Sequence, residues 1–175
     1  MLDTVNVKVD GAHIVDTIKN VKTGEVEVIN RGCNLVVSKV LPLIMGMLKG
    51  SLSGIQYWAV GSGSSSWDST PVSPSLSEVQ LTSELGRKAI TSGDIKFVNP
   101  VTFEESDTPT NCLQIGCTFF EEDCNGSWRE FGIFGGNATT ELNSGYLIDK
   151  KHHSLVNKTS EMVVDRKIFL TISFS

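Results

Sequence analysis

The chain has 175 residues, 39% of them hydrophobic and 20% charged, with a net charge of -5. That describes about one globular domain with a substantial core, and scattered Lys and Arg on an acidic chain argue against a nucleic-acid surface. No apolar run reaches the roughly 18 residues of a membrane span, and the start MLDTVNVKVDG lacks the basic and apolar regions of a secretory signal, so the sequence predicts neither membrane insertion nor export.

Residues Val5 to Val9 alternate apolar and polar at the period of a strand. Ile14 to Val21 and Glu25 to Ile29 follow, separated by Lys22-Thr23-Gly24, and predict a hairpin. From Ser38 to Lys49 the period changes. Val40, Leu43, Ile44, Met47 and Leu48 recur at helical spacing, and Leu41 widens the stripe. Ser38 is the expected N-cap, Pro42 falls in the first turn, and Gly50 is the expected stop. So short a helix needs a sheet to lie on.

Ile55 to Val60 reads as a core strand ending in the Gly/Ser stretch Gly61 to Ser66. That stretch lacks the Gly-Lys-Ser/Thr ending of a phosphate loop and runs into Trp67, Pro71 and Pro74, so no nucleotide site is expected. Leu81 to Leu85 is open between a helical turn and an extended arm. Asp94 to Val98 predicts a strand, and Cys112 to Glu122 with Trp128 to Phe134 predicts a hairpin about Asn125-Gly126. A two-residue turn sets Phe120 opposite Phe131 but also Glu121 opposite Glu130; a three-residue turn sets Glu121 opposite Arg129, and the charges favour it. Either register leaves large apolar residues on both faces, which calls for two covers: the opposing sheet, and then either the helix or another copy. Tyr146 to Ile148 begins a strand that runs toward the basic group Lys150, Lys151, His152 and His153. Met162 to Phe174 closes the chain with Ile168, Leu170, Ile172 and Phe174 on one face.

Seven to nine strands and one main helix predict a mainly β fold: an antiparallel β-sandwich with an α-helix at about residues 38–49 packed on it. The single domain 1–175 divides into N-terminal strands (1–30), the helix region (31–50) and the remaining sandwich (51–175), with a long loop or arm at 61–90.

Catalytic signals are weak. Glu104, Glu105, Glu121, Glu122 and Asp123 are expected as solvated charges, and His13, His152 and His153 have no nucleophile in a recognisable context. His152 and His153 are expected on a surface strand or loop. Cys33, Cys112, Cys117 and Cys124 form no zinc spacing and are expected as free thiols, with Cys112 and Cys117 on opposite faces of one strand. No enzyme activity, cofactor or metal is expected. Trp58 and Trp128 suit the core, whereas Trp67 on the polar loop is the aromatic expected to meet a protein or sugar if exposed.

Three segments, YWAVGSG (Tyr57 to Gly63), LTSELGRK (Leu81 to Lys88) and REFGIFGGN (Arg129 to Asn137), occur in order with Asn34-Leu35-Val36 and the closing LTISF. Together they resemble small structural proteins of tailed bacteriophages, of the tail-fibre and baseplate type, over most of residues 20–175. Ser62 stands where that group has Thr, and Arg129-Glu130-Phe131 is bulkier than its counterpart. The resemblance implies a non-enzymatic virion component, assembled in the host cytoplasm into the tail, whose partners are copies of itself and other tail proteins. A receptor- or glycan-binding module on the host surface and a capsid decoration protein are the other roles it leaves open. Trp67, Leu81, Leu85 and Arg87, on the 61–90 loop and arm, are the expected partner contacts.

Overall fold

A computed structural model of the chain describes the backbone of residues 7–174 and the side chains of residues 14–173; Val5, Asn6 and the His13 side chain lie outside these. Two five-stranded antiparallel sheets face each other. One has the order β2-β1-β10-β7-β6, from β1 (Val7–Asn20), β2 (Val26–Cys33), β6 (Ile95–Phe97), β7 (Cys112–Phe119) and β10 (Met162–Phe174). The other has the order β3-β9-β8-β4-β5, from β3 (Leu35–Val36), β4 (Ser53–Gly61), β5 (Glu84–Ala89), β8 (Gly126–Gly136) and β9 (Tyr146–Lys158). The fold is thus the expected antiparallel sandwich with one helix, α1 (Val40–Lys49), packed on it. The described strands number ten; β6 lies within the expected strand at Asp94 to Val98, whereas β3 is too short to show in the pattern and β5 carried no alternation.

The core lies between the sheets. Ile14, Ile115, Phe119, Val164 and Ile168 from the first sheet meet Trp58, Val60, Trp128, Phe131 and Ile133 from the second. Both core indoles are fully buried and each finds an acceptor: Trp58 Nε1 donates to the Gly116 carbonyl at 3.1 Å and Trp128 Nε1 to the Cys124 carbonyl at 2.7 Å. Cys112 and Cys117 point to opposite faces of β7, into separate clusters, and all four cysteines are free.

The β1–β2 hairpin forms as expected, with Gly24 at φ 77 in the turn. The segment at Val7 to Val9 is no separate strand; it continues into β1 through a register shift between Gly11 and Ile14. The hairpin at Asn125-Gly126 does not form. β7 pairs with β10 and β6, whereas β8 pairs with β9 and β4, so this connection turns the chain from one sheet to the other. A tight hairpin turn at Asn-Gly needs positive φ at both central residues. Here Cys124 (φ 51) and Gly126 (φ 147) have it and Asn125 does not. The buried ammonium of Lys158 holds the corner, donating to the Phe120 and Glu121 carbonyls and to Asn125 Oδ1 at 2.8–3.0 Å. Phe119 and Trp128 then meet edge to face across the core, with centroids 5.0 Å apart, instead of sitting side by side in one sheet.

Helix α1 lies against β4, β8 and β9 and sends Val40 and Leu43 into the core. Lys39, not Ser38, occupies the N-cap position, with helical φ and no capping side chain. Ser38 serves through its backbone instead: its carbonyl accepts from Leu41 N–H and its own N–H donates to the Leu76 carbonyl. Pro42 is the third helical residue, where an N–H would have no intrahelical acceptor, and Gly50 ends the helix at φ 75.

The second cover over β8 is neither the helix nor another copy. Residues 62–83 fold back over the outer face of their own sheet, where Leu81 joins Val37, Ala59, Phe134 and Leu147 in a buried cluster. Polar ties fix this flap. The Glu130 carboxylate accepts from the Thr82 and Ser83 amides at 3.0 and 2.7 Å, and Lys150 Nζ reaches Glu78, Glu130 and the Gln80 carbonyl. Gly63 at φ 52 leaves room for the Trp67 ring, which a side chain at that position would strike.

A candidate binding cavity and an uncovered helix face

The strand pattern places a charged residue on the apolar phase of two strands. On β10, Arg166 lies between Val164 and Ile168; on β1, Asp16 lies between Ile14 and Ile18. Asp16 and Arg166 are register partners in adjacent strands, and both are fully buried. Arg166 donates to the Asp16 carboxylate through Nε at 2.5 Å and Nη2 at 2.7 Å, and Arg31 of β2 donates to it through Nε. The Arg166 guanidinium also lies over the Phe131 ring, 4.5 Å from its centroid, in the opposite sheet. Burial pushes the Asp16 carboxyl up, but Arg166 and Arg31 outweigh it and hold the group down to about 2.

Two buried guanidiniums on one carboxylate leave one positive charge uncompensated, and Arg31 Nη2 and Arg166 Nη1 have no protein partner. Beside them the sandwich opens into a cavity of about 490 Å³. Its walls are Ile29 and Arg31 of β2, the 33–35 link, residues 71–74 of the flap, and residues 151–154 of β9; none of its lining residues is acidic. Lys151 lies on the wall with Nζ 2.6 Å from the Cys33 carbonyl.

The two histidines of β9 are buried, not superficial. β9 is covered on both faces, so successive residues are both enclosed. His153 lines the cavity, with Nδ1 2.7 Å from the Ser154 carbonyl. A carbonyl only accepts, so Nδ1 carries the proton and Nε2, buried without a protein partner, is left as an acceptor. Burial, reinforced by Arg166 and Arg31, pushes this imidazole down to about 3, so it is neutral near physiological pH. His152 points to the other face. Its Nδ1 donates to the Val72 carbonyl at 2.8 Å, and its ring stacks on Trp67 with centroids 3.8 Å apart. Asn34, on the cavity wall, has both amide atoms buried and unpartnered.

The expected contact residues sit elsewhere. Trp67 is only 8% exposed and is consumed by its stack on His152. Leu81 is fully buried under the flap. Arg87 spends its guanidinium inside the chain, donating to Glu84 at 2.7 and 2.9 Å and to the Thr139 carbonyl, over the Phe134 ring. Leu85 alone of the four presents a sizeable surface, at 41% exposed. The carboxylates at 104–105 and 121–123 are spread over loops, Glu105 with Lys96 and Asp123 with Lys88. Among the described residues no group of three or more His, Cys, Asp or Glu is placed to hold a metal ion.

A second feature lies on α1. Only Val40 and Leu43 are buried; Leu41, Met45 and Leu48, at i, i+4 and i+7, are 55%, 66% and 78% exposed. They form a continuous apolar stripe flanked by Lys39 and Lys49, on a helix without an acidic residue. No described helix is long and apolar enough to cross a membrane.

Asp16 and Arg166, charged residues on the apolar phase of their strands, were the legible signal for the buried ion pair beside the cavity, a signal hidden when only the apolar positions of Ile14 to Val21 and Met162 to Phe174 are counted. Comparison of the chain with protein-family models, with curated proteins and with solved structures found no match.

Proposed function

We propose that the chain is a non-enzymatic structural component of a bacteriophage tail, of the fibre or baseplate type, that joins a neighbouring tail protein through the outer stripe of α1. The uncovered row Leu41, Met45 and Leu48 carries this reading. Burying each such side chain is worth about 1.5–3 kcal/mol before the costs of association, and three exposed apolar side chains aligned on one helix face mark a joining surface. The resemblance supports it from another side. Its three segments are not scattered but form β8, β4 and β5, adjacent strands of one sheet.

Charge selects the kind of partner. Two copies of α1 laid stripe to stripe bring lysine against lysine in either orientation, since Lys39 and Lys49 flank the row and no acid offsets them. The fitting surface is therefore on a different protein, apolar at its centre and acidic at its rim. Met45→Glu tests this in particles. The variant folds as the wild type does, because Met45 is exposed, and is missing from purified particles. Normal incorporation of Met45→Glu would overturn the reading.

A further inference from the structure

The cavity beside Arg31 and His153 has a chemistry that the joining role does not use, and a ligand held there is independent of that role. Asp16 neutralises one of its two guanidinium partners, and the other acid acting on Arg31 is Glu27, on the exposed part of β2. Lys151 adds a further cation on the wall. Cations gathered at a partly enclosed site favour an anion, and a guanidinium suits a planar carboxylate. Among the acceptors on the wall is Nε2 of neutral His153, which has no protein partner and is fixed as an acceptor by the proton on Nδ1. It needs an O–H or N–H, which a bare carboxylate lacks. Asn34 supplies both an amide donor and an amide acceptor without protein partners. The volume, about 490 Å³, is in the usual range of roughly 300–1,000 Å³ for small-molecule pockets. Pro71, Val72 and Leu35 provide apolar wall for the C–H face of a ring.

We propose that this cavity binds an acidic sugar, with its carboxylate held by Arg31 and Lys151 and a hydroxyl donating to Nε2 of His153. Glucuronate, galacturonate and N-acetylneuraminate are titrated calorimetrically against the full chain, with glucose as the neutral-body probe and acetate and inorganic phosphate as the anion-only probes. At least one acidic sugar binds, and the three control ligands bind weaker by about tenfold or more. Lys151→Gln, whose side chain is partly exposed, keeps the near-UV dichroism of the wild type and lowers the acidic-sugar affinity by about tenfold. Binding also moves the ¹⁵N resonance of His153 Nε2, which a distant surface site would leave unchanged. The proposal is overturned if none of the three acids binds, if acetate or inorganic phosphate binds as tightly as the sugars, or if Lys151→Gln binds like the wild type.

Discussion

Replacing Asp16 by Asn removes one buried charge and almost no volume, so it isolates what the carboxylate does for the fold. The side chain accepts three hydrogen bonds, two from Arg166 and one from Arg31, with nothing exposed to water. Its acidity sets the lower bound. A group held at about 2 instead of 3.8 favours the charged over the neutral form by about 2 kcal/mol in the folded state. The upper bound comes from the guanidiniums left behind, since breaking a buried pair costs about 3–5 kcal/mol. The loss at neutral pH is therefore about 2–5 kcal/mol, or some 4–20 °C in Tm for a chain of this size. Urea unfolding followed by tryptophan fluorescence measures it, Trp128 lying near Arg166. The pH dependence gives a second check. A depressed carboxyl contributes stability above 3.8 that is lost as the pH falls through about 2, so Asp16→Asn has a flatter acid limb than the wild type. Glu161→Gln, in the exposed pair with Lys22, is the control and changes stability by less than about 1 kcal/mol. A loss below about 1 kcal/mol for Asp16→Asn, or an unchanged acid limb, would refute the reasoning.

Lys150→Met leaves the fully buried Glu130 carboxylate without its cation and removes a tie to Glu78, so the flap loosens; stability falls by about 3 kcal/mol and limited proteolysis cuts first between residues 62 and 83. Asp149, fully buried without a side-chain hydrogen-bond partner, is pushed well above 3.8 by burial. The folded carboxyl holds its proton to higher pH than the unfolded one, so this group makes the wild type lose stability as the pH rises above 3.8. Asp149→Asn lacks that decline, and denaturation near neutrality finds it more stable by about 1–3 kcal/mol.

Local periodicity reached most of the architecture, because a strand's inward residues are chosen by the core they face. The β1–β2 hairpin, α1 and the alternation of Ile168, Leu170 and Ile172 were visible for that reason. Sheet membership is not local. Asn125-Gly126 has the composition of a tight turn, yet Lys158, more than thirty residues later, gathers the carbonyls that make it a corner. Two apolar faces on β8 correctly required two covers, but sequence distance hid that one of them is the chain's own flap, seated by Leu81 and Glu130. Polar composition at residues 61–74 suggested a surface loop, on which Trp67 would be a contact residue if exposed. Gly63 and His152 instead make a slot for that ring. The cavity was half legible: the basic run at Lys150 to His153 stood out as a group, while its join to Arg31 depends on strand order.

Cryo-microscopy of the native particle tests the central claim most directly. The account predicts the chain in the tail, with Leu41, Met45 and Leu48 of α1 covered by an acidic-rimmed surface of a different protein. A particle without the chain, or one in which that stripe faces water, would contradict it.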